Sequence, residues 1–286
     1  MKINARLRLY IQLARLNRPI GILLLLWPTL WALWFAGNGR PAWHLVVIFT
    51  VGTILMRSAG CVINDYADRD IDKHVKRTKD RPVTSGQVSP KEAMLLAAAL
   101  ALLALILILP LNTLTLLLAI PAVALAASYP YTKRFFAIPQ AYLGLAFSFG
   151  IPMAFAAQLG SIPGIAWWLM LANLFWVIAY DTEYAMVDRD DDMHLGIHSS
   201  ALLFGKYDVA AIMLCYVAAL SILAGIGTTL SMGKLYYISL LIAAGMAVYH
   251  YILIRQRQRE NCFKAFLHNA WFGLAVFIGI VLDYAL

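Results

Sequence analysis

Long apolar runs, separated by short polar loops, fill most of the chain. Each run holds about 20 residues, which is the length at which an α-helix crosses a hydrocarbon core of roughly 30 Å. Nine such runs can be placed, at Pro19–Ala36, Trp43–Ile63, Glu92–Leu109, Asn112–Tyr129, Ile138–Gln158, Ile165–Tyr184, Val209–Leu230, Leu235–Ile254 and Ala265–Tyr284. The pattern predicts an all-α integral membrane helical bundle of about nine transmembrane helices, because a β-barrel would show shorter segments of alternating polarity. Prolines inside three of the runs (Pro28, Pro121 and Pro152) predict kinks.

The composition agrees with a protein that is dissolved in the bilayer. Of the 286 residues, 62% are hydrophobic and 13% are charged, whereas a soluble domain has roughly 45–50% apolar and 25% charged residues. The formal net charge is +8, and 20 of the 23 lysines and arginines fall on one side of the nine spans, against two on the other. The positive-inside rule then predicts a cytoplasmic N-terminus and an external C-terminus, and the basic charge gives no support for a nucleic-acid partner.

Two clusters of acidic residues follow the second and the sixth span, both on the side predicted to be cytoplasmic. Polar residues in each cluster recur at intervals of three or four, so each set forms one stripe if its helix continues past the membrane. The first stripe consists of Asn64, Asp68 and Asp72, and the second of Asp181, Tyr184, Asp188 and Asp192. Asp68 and Asp188 are 120 residues apart, as are Asp72 and Asp192. This repeat indicates two pseudo-duplicated four-helix units.

Two facing stripes of carboxylates are typical of a site for Mg²⁺, which prefers oxygen ligands and completes its shell with substrate phosphates. The predicted metal ligands, called the carboxylate quartet below, are Asp68, Asp72, Asp188 and Asp192. Basic side chains near them suit the anionic oxygens of a diphosphate. These are Arg77, Arg81, Lys133 and Arg134. The acidic residues that lie off the stripes are expected to cap helices or to be solvated, namely Asp70, Glu183, Asp190 and Asp191.

Four segments carry longer motifs: GILLLLWPTLWALW at 21–34, RSAGCVINDYADRDIDKHVKRTKDRPVTSG at 57–86, YPYTKR at 129–134 and AYDTEYAMVDRDDDMHLGIHSSALLFG at 179–205. They resemble the 4-hydroxybenzoate polyprenyltransferases of ubiquinone biosynthesis, the UbiA group, and the resemblance covers most of the chain. The N-D-x-x-D-x-x-x-D and D-x-x-x-D patterns are typical of the whole superfamily. The YDTEYAMVDRDDD and LLLLWPTLWALW strings point to the hydroxybenzoate branch.

The resemblance implies a single domain over 1–286, with motif one at 64–86 and motif two at 181–199. It also implies a cytosol-facing site that holds Mg²⁺ and a diphosphate, with a groove open to the lipid for the prenyl tail. The implied reaction transfers a polyprenyl chain from polyprenyl diphosphate to the 3-position of 4-hydroxybenzoate, in the bacterial inner membrane. His198 is counted among the substrate-binding residues, although members of this group commonly carry lysine there. That departure puts one diphosphate contact in question.

Further roles follow from position. Asn64 and Asp65 are expected to be accessory ligands or orienting residues. Asp181 is expected to contact the phenol or to orient Tyr184. Arg57 is the one basic residue placed inside a predicted span, on nearly the same helical face as Asn64. A charge at that depth is usually functional or extends its side chain to the membrane surface. Because Arg57 shares the face of the motif, the functional reading is favoured, and Arg57 is predicted to bind the benzoate carboxylate.

Aromatic residues either line the tail groove and stabilise an allyl cation or pack against lipid; the candidates are Trp27, Trp31, Phe147 and Phe149. Three histidines show no ligand spacing and are read as structural: His44, His250 and His268. Two alternatives stay open. Membrane carboxylates also occur in ion-coupled transporters, and a related enzyme could use another acceptor, such as homogentisate or a naphthoate.

Overall fold

The computed structural model describes residues 5–73, 78–132 and 134–286, and all regular structure in these ranges is helical. The helices are α1 Ala5–Leu13, α2 Ile20–Ala36, α3 Trp43–Ala67, α4 Arg69–Asp72, α5 Pro90–Ile108, α6 Thr113–Thr132, α7 Pro139–Ser148, α8 Gly150–Leu159, α9 Gly164–Leu195, α10 Ser200–Phe204, α11 Asp208–Thr229, α12 Lys234–Ile254 and α13 Arg259–Ala285. A 3₁₀ turn at Gly205–Tyr207 joins α10 to α11. The all-α bundle is confirmed.

Each of the nine predicted spans coincides with helical structure. Within the described residues, eight helical segments are long and apolar enough to cross a membrane. The remaining predicted span corresponds to α2, which has 17 residues and is shorter than the others. The predicted helix count of about nine therefore holds as an approximation.

The fifth predicted span is divided into two helices near a proline. Helix α7 ends at Ser148 and α8 begins at Gly150. Pro152 has no N–H to donate to the carbonyl of Ser148, so the backbone ladder is interrupted where the helices meet. Gly150 also lies against α2, where a Cβ at this position would come within 2.5 Å of Thr29 Oγ1. The kink predicted at Pro152 is thus a break at which two helices approach closely.

Helix α9 lies at the centre of the bundle and packs against α7, α11 and α13. Its Trp176 stacks between two aromatic rings, with centroids 5.4 Å from Trp31 of α2 and 5.3 Å from Phe272 of α13. Gly273 makes this packing possible, because a Cβ there would lie 2.6 Å from Trp176. The fully buried Trp31 is therefore part of the core, and Trp27 stacks with Phe277 at 5.7 Å rather than facing a groove.

Helices α5 and α6 are the least buried of the spans, with 17% and 11% of their apolar windows enclosed by protein. Their outer faces carry large exposed hydrophobic residues such as Leu95, Leu102 and Ile120. Exposed apolar surface of this extent is expected where helices face lipid. These two helices therefore form a thin wall between the bilayer and the interior of the bundle.

Candidate active site

One large cavity, of about 790 Å³, opens among α2, α3, α5 to α9 and α13. Its lining includes most of the residues singled out in the sequence: the carboxylate quartet, Asn64, Asp65, Asp181, Tyr184, Arg57, Arg81 and His198. The fold thus brings both motifs to the walls of the same space.

The spacing of the first stripe is kept although its helix is interrupted between α3 and α4. Helix α3 ends at Ala67, and Asp68 has φ −94° and ψ −2° before α4 begins at Arg69. The backbone N–H of Asp68 still donates to Asn64 O, and that of Asp72 to Asp68 O, at 3.0 and 2.8 Å. The four-residue spacing is therefore preserved, and Asp68 and Asp72 are only 2% and 6% exposed.

The second stripe lies on one uninterrupted helix, as its spacing required. The span was predicted to end at Tyr184, but α9 continues to Leu195. Gly196 ends it with φ +66°, a left-handed conformation that suits glycine. The chain then turns back, and His198 and Ser199 join the cavity wall. Ser200 fixes this turn by donating its N–H to Gln140 Oε1 at 2.9 Å.

The donor atoms fit a hard cation that is shared with substrate. Within the described residues, no three His, Cys, Asp or Glu side chains converge closely enough to form a complete metal site. Each motif instead offers a pair of carboxylates to the cavity. Since Mg²⁺ in proteins commonly binds one or two carboxylates together with waters and substrate phosphates, two such pairs suit it better than they suit Zn²⁺ or a fully enclosed Ca²⁺.

Asp65 is held by two arginines rather than exposed to the cavity as a free ligand. Arg15 Nη2 lies 3.0 Å from Asp65 Oδ1, and Arg81 Nη1 is 3.0 Å from the same oxygen. Arg81 Nη1 also donates to Asp72 Oδ2 at 2.7 Å. Of the two roles predicted for Asp65, orienting the neighbouring groups fits this geometry better than direct ligation. Arg81, which is 13% exposed in its side chain, links Asp65 to Asp72.

Two arginines of the N-terminal arm line the cavity, although no sequence motif pointed to them. Arg15 and Arg18 follow α1 and precede Pro19 at the start of α2. Arg15 adopts φ +57°, an uncommon conformation for a residue with a side chain, and its guanidinium reaches Asp65. Two arginines ahead of the first span were a visible signal, but the charge was read only as evidence of topology.

The remaining basic candidates divide into two groups. Arg77 and Lys133 lie outside the described residues. Arg134 is placed elsewhere than the cavity wall: its Nη2 donates to Ala67 O at 3.1 Å, so it caps the carboxyl end of α3. Its predicted contact to a diphosphate has no support in this position.

The off-stripe acids differ from one another. Asp70 is exposed and accepts a hydrogen bond from Lys73 Nζ at 3.0 Å. This bond and the charge of Lys73 lower the pKa of the Asp70 carboxyl, as expected for a surface ion pair. Asp190 is also exposed, but Glu183 is fully buried. The expectation that Glu183 caps a helix or is solvated is therefore wrong.

Arg57 lies deeper in the cavity than the motifs. Its Cζ is 5.7 Å from the ring centroid of Phe147, and its charge interacts with the carboxyl of Asp181. Within the described part of the chain its buried Nε has no hydrogen-bond partner. Gly21 lets the guanidinium lie close to α2, since a Cβ there would be 2.7 Å from both Nε and Nη2 of Arg57. Arg57 therefore lines the cavity with a guanidinium that has one buried donor without a partner among the described residues.

Most of the remaining cavity lining is apolar and combines small residues with larger ones. The alanines of α5 and α6 form one side, namely Ala101, Ala104, Ala119, Ala122 and Ala126. Phe147 and Phe149 also line the cavity, whereas Trp27 and Trp31 are not among the described residues that line it. Small side chains and the thin α5–α6 wall leave room for a long, flexible apolar chain beside the polar end.

Comparisons with known proteins agree with this arrangement. The model of the UbiA prenyltransferase family matches residues 25–275. A relative named 4-hydroxybenzoate octaprenyltransferase, from Azoarcus sp. (strain BH72), is 62% identical over 284 residues and covers 99% of both chains.

Two solved structures show the same fold. The apo structure of a UbiA homolog from Aeropyrum pernix K1 has a TM-score of 0.80 at 26% identity and covers 92% of this chain and 97% of that chain. A UbiA homolog from Archaeoglobus fulgidus, bound to GPP and Mg²⁺, has a TM-score of 0.68 at 18% identity and covers 95% of this chain and 99% of that chain. Given the family match over most of its length and the identity to its relatives, this chain is a membrane enzyme that belongs to the UbiA prenyltransferase family.

Proposed function

We propose that the enzyme transfers a polyprenyl chain from polyprenyl diphosphate to the 3-position of 4-hydroxybenzoate, with Mg²⁺ as cofactor, as a step of ubiquinone biosynthesis. One observation carries the proposal: a single cavity joins a carboxylate-rich polar end, a buried unpaired arginine donor and a long apolar groove. The curated relative named 4-hydroxybenzoate octaprenyltransferase supports the choice of acceptor.

The diphosphate belongs at the polar end of the cavity. The carboxylate quartet would hold Mg²⁺, which supplies charge neutralisation to the oxygens of the departing diphosphate. Arg18, which also lines the cavity, adds positive charge, and Arg81 keeps Asp72 in place through their 2.7 Å hydrogen bond. Cationic and dipolar groups fixed before the reaction stabilise developing charge without reorganisation, which is the usual source of rate enhancement in such sites.

The acceptor belongs beside Arg57. A guanidinium binds a carboxylate through two parallel N–H donors, so Arg57 would hold the acid group and direct the phenol end toward the polar end of the cavity. Phe147, whose ring lies beside Arg57, would pack against the acceptor ring. Once the diphosphate has left as pyrophosphate, the carbon ortho to the phenol would form a bond to the allyl cation without an enzyme nucleophile. That carbon, at the 3-position of the acid, then loses its proton and the aromatic ring is restored. Asp181, which also lines the cavity, would contact the phenol or orient Tyr184.

The apolar groove has two tasks in this reaction. It accommodates the prenyl tail among the alanines of α5 and α6, and it keeps water from an allyl cation that would otherwise be hydrolysed. We also propose that the site faces the cytoplasm of a bacterial inner membrane, since 20 of 23 basic residues lie on that side of the spans.

Membranes that contain the full-length protein provide the test. They would be incubated with Mg²⁺, a polyprenyl diphosphate and a panel of aromatic acids that includes 4-hydroxybenzoate, homogentisate and a hydroxynaphthoate, and the products would be identified by mass spectrometry. The expected product is 3-polyprenyl-4-hydroxybenzoate, absent from membranes that carry Asp188→Asn. Preference for another acid would retain prenyl transfer but overturn the proposed acceptor.

A further inference from the structure

A second set of polar side chains is buried among the C-terminal helices, and none of them is among the described residues that line the cavity. This buried network consists of Trp176 and Glu183 on α9, Tyr216 on α11, His250 on α12, and His268 and Asn269 on α13. Glu183, His250 and Asn269 are 0% exposed. The network therefore joins four helices in a region where unpaired polar groups are costly.

The orientation of Asn269 follows from its neighbours. The indole Nε1 of Trp176 is only a donor, and it lies 2.8 Å from the Oδ1 position of Asn269. That atom must be the amide oxygen. The amide nitrogen then donates to Glu183 Oε2 at 2.9 Å and to Ala265 O at 3.1 Å. One side chain on α13 thus binds two residues of α9 that lie about two turns apart.

The hydroxyl of Tyr216 fixes the protons of the network. It lies 2.8 Å from Asn269 Oδ1, 3.0 Å from Glu183 Oε1 and 2.8 Å from His250 Nδ1. A hydroxyl has one proton and two lone pairs, and the amide oxygen can only accept, so the proton of Tyr216 must point to Asn269. The other two contacts then need protons from the carboxyl group of Glu183 and from Nδ1 of His250.

With these protons in place, each hydrogen bond of the network has a donor and an acceptor while all of its members are neutral. When His250 carries its proton on Nδ1, its Nε2 can accept from His268 Nδ1 at 3.0 Å. The ionic alternative pairs a Glu183 carboxylate with a doubly protonated His250, whose Nδ1 lies 3.7 Å from Glu183 Oε1. That alternative directs the Tyr216 proton to Glu183 and leaves Asn269 Oδ1 facing the Tyr216 oxygen with no proton between them. It also buries two charges, which is unfavourable at this depth.

From this geometry we infer that Glu183 is a protonated positioning residue: as a neutral acid it fixes the rotation of α9 and so directs the second stripe into the cavity. On a helix with 3.6 residues per turn, Glu183 lies about 200° from Asp181, whereas Asp188 and Asp192 lie within about 20° of Asp181. The network therefore contacts one face of α9, and the stripe lies on the opposite face, which lines the cavity. A turn of α9 in either direction would displace Asp188 and Asp192 together.

Infrared spectroscopy of the full-length protein in lipid tests the proton directly, whatever the reaction catalysed. The difference spectrum of wild type minus Glu183→Gln should contain the C=O stretch of a protonated carboxylic acid. Carboxylate bands in its place would overturn the inference. Because glutamine keeps one donor and one acceptor, this variant should fold like wild type.

Kinetics test the positioning role, and this part rests on the proposed function. Glu183→Gln should keep kcat and the Mg²⁺ requirement near wild type. Glu183→Leu, which keeps the bulk but removes both contacts, should lower kcat and raise the Mg²⁺ concentration for half-maximal rate, each on the order of tenfold or more, with little change in the KM for the acid. Ser239→Ala on α12 is the matched control, since it removes a buried hydroxyl that bonds only within its own helix, to Tyr236 O.

The outcomes separate the two proposals. If Glu183→Gln is as impaired as Glu183→Leu, the positioning role is wrong even where the carboxylic acid band is present. If wild-type membranes form no prenylated product, the proposed function fails while the infrared result still decides the state of Glu183. If Glu183→Leu does not fold, the comparison of wild type with Glu183→Gln by both methods remains decisive.

Discussion

Replacing Arg57 with leucine should weaken the enzyme's response to its aromatic acid and leave its response to the prenyl diphosphate almost unchanged. The guanidinium lies beside Phe147 in the cavity, and its buried Nε has no hydrogen-bond partner within the described residues. An incoming carboxylate would therefore gain a charge-assisted contact at Nε without breaking an existing hydrogen bond there.

The size of the effect follows from the loss of that contact. A hydrogen bond to a charged group contributes about 1.5–3 kcal/mol, and about 1.4 kcal/mol corresponds to a factor of ten. The KM for 4-hydroxybenzoate should then rise about ten- to a hundredfold in Arg57→Leu. Steady-state kinetics in membranes, with each substrate varied while the other is saturating, would measure both KM values.

A substitution at Gly21 on α2 tests the position of the Arg57 guanidinium. A Cβ at Gly21 would lie 2.7 Å from Arg57 Nε and Nη2, so Gly21→Ala must push the guanidinium aside. We expect its KM for the acid to rise in the same direction as in Arg57→Leu, but by less. Gly245→Ala is the control, because it makes the same change in a helix where the new Cβ meets no atom within 4 Å.

The assignment would be refuted by the opposite pattern. If Arg57→Leu raised the KM for the diphosphate and left the response to the acid unchanged, Arg57 would belong to the phosphate end and the acid would need another partner. Equal effects of Gly21→Ala and Gly245→Ala would show that the position of the guanidinium does not control acid binding.

Three further predictions concern the metal and the membrane. Asp→Asn at any member of the carboxylate quartet should abolish turnover in membranes that still contain folded protein. Asp70→Asn, which changes an exposed ion pair, should keep activity near wild type. If a quartet variant kept near-normal activity at limiting Mg²⁺, that residue would not be a metal ligand. Chelation with EDTA should stop product formation and added Mg²⁺ should restore it, so that unchanged activity in EDTA would argue against a metal. A reporter fused after Leu286 should be active outside the cytoplasm, and activity only in the cytoplasm would contradict the predicted topology.

The sequence predicted the helices well because each has to be apolar over the width of the membrane. It predicted their ends less well, since that signal stops at the membrane surface. The sixth apolar span was predicted to end at Tyr184, and the second stripe required its helix to continue to Asp192. The helix does continue, but its end at Leu195, where Gly196 turns the chain, was not predicted. The spacing of the two acidic motifs did predict that both would line one cavity, since that spacing already encodes the helical face.

The sequence did not indicate which side chains of different helices would come into contact. His250 and His268 looked isolated because they lie on different helices, yet their rings are hydrogen-bonded at 3.0 Å where α12 and α13 pack together. Arg134, which was predicted to bind the diphosphate, donates to the carbonyl of Ala67 at the end of α3, a contact that the sequence did not indicate. Such pairings depend on how helices rotate against one another, which local periodicity does not specify.

The length of α9 has a consequence for how the two substrates meet. Its 32 residues extend roughly 48 Å at about 1.5 Å per residue, well beyond a hydrocarbon core of roughly 30 Å. The quartet's second pair follows Tyr184, where the sixth predicted span ends, whereas the alanines that line the cavity lie on α5 and α6, which are apolar enough to cross a membrane. Under the proposed chemistry, the water-soluble acid and the membrane-dissolved lipid meet at the boundary between the two phases. The rate should then depend on the aqueous concentration of the acid but on the mole fraction of the prenyl donor in the bilayer, so diluting the membranes with empty lipid should slow the reaction through the donor alone.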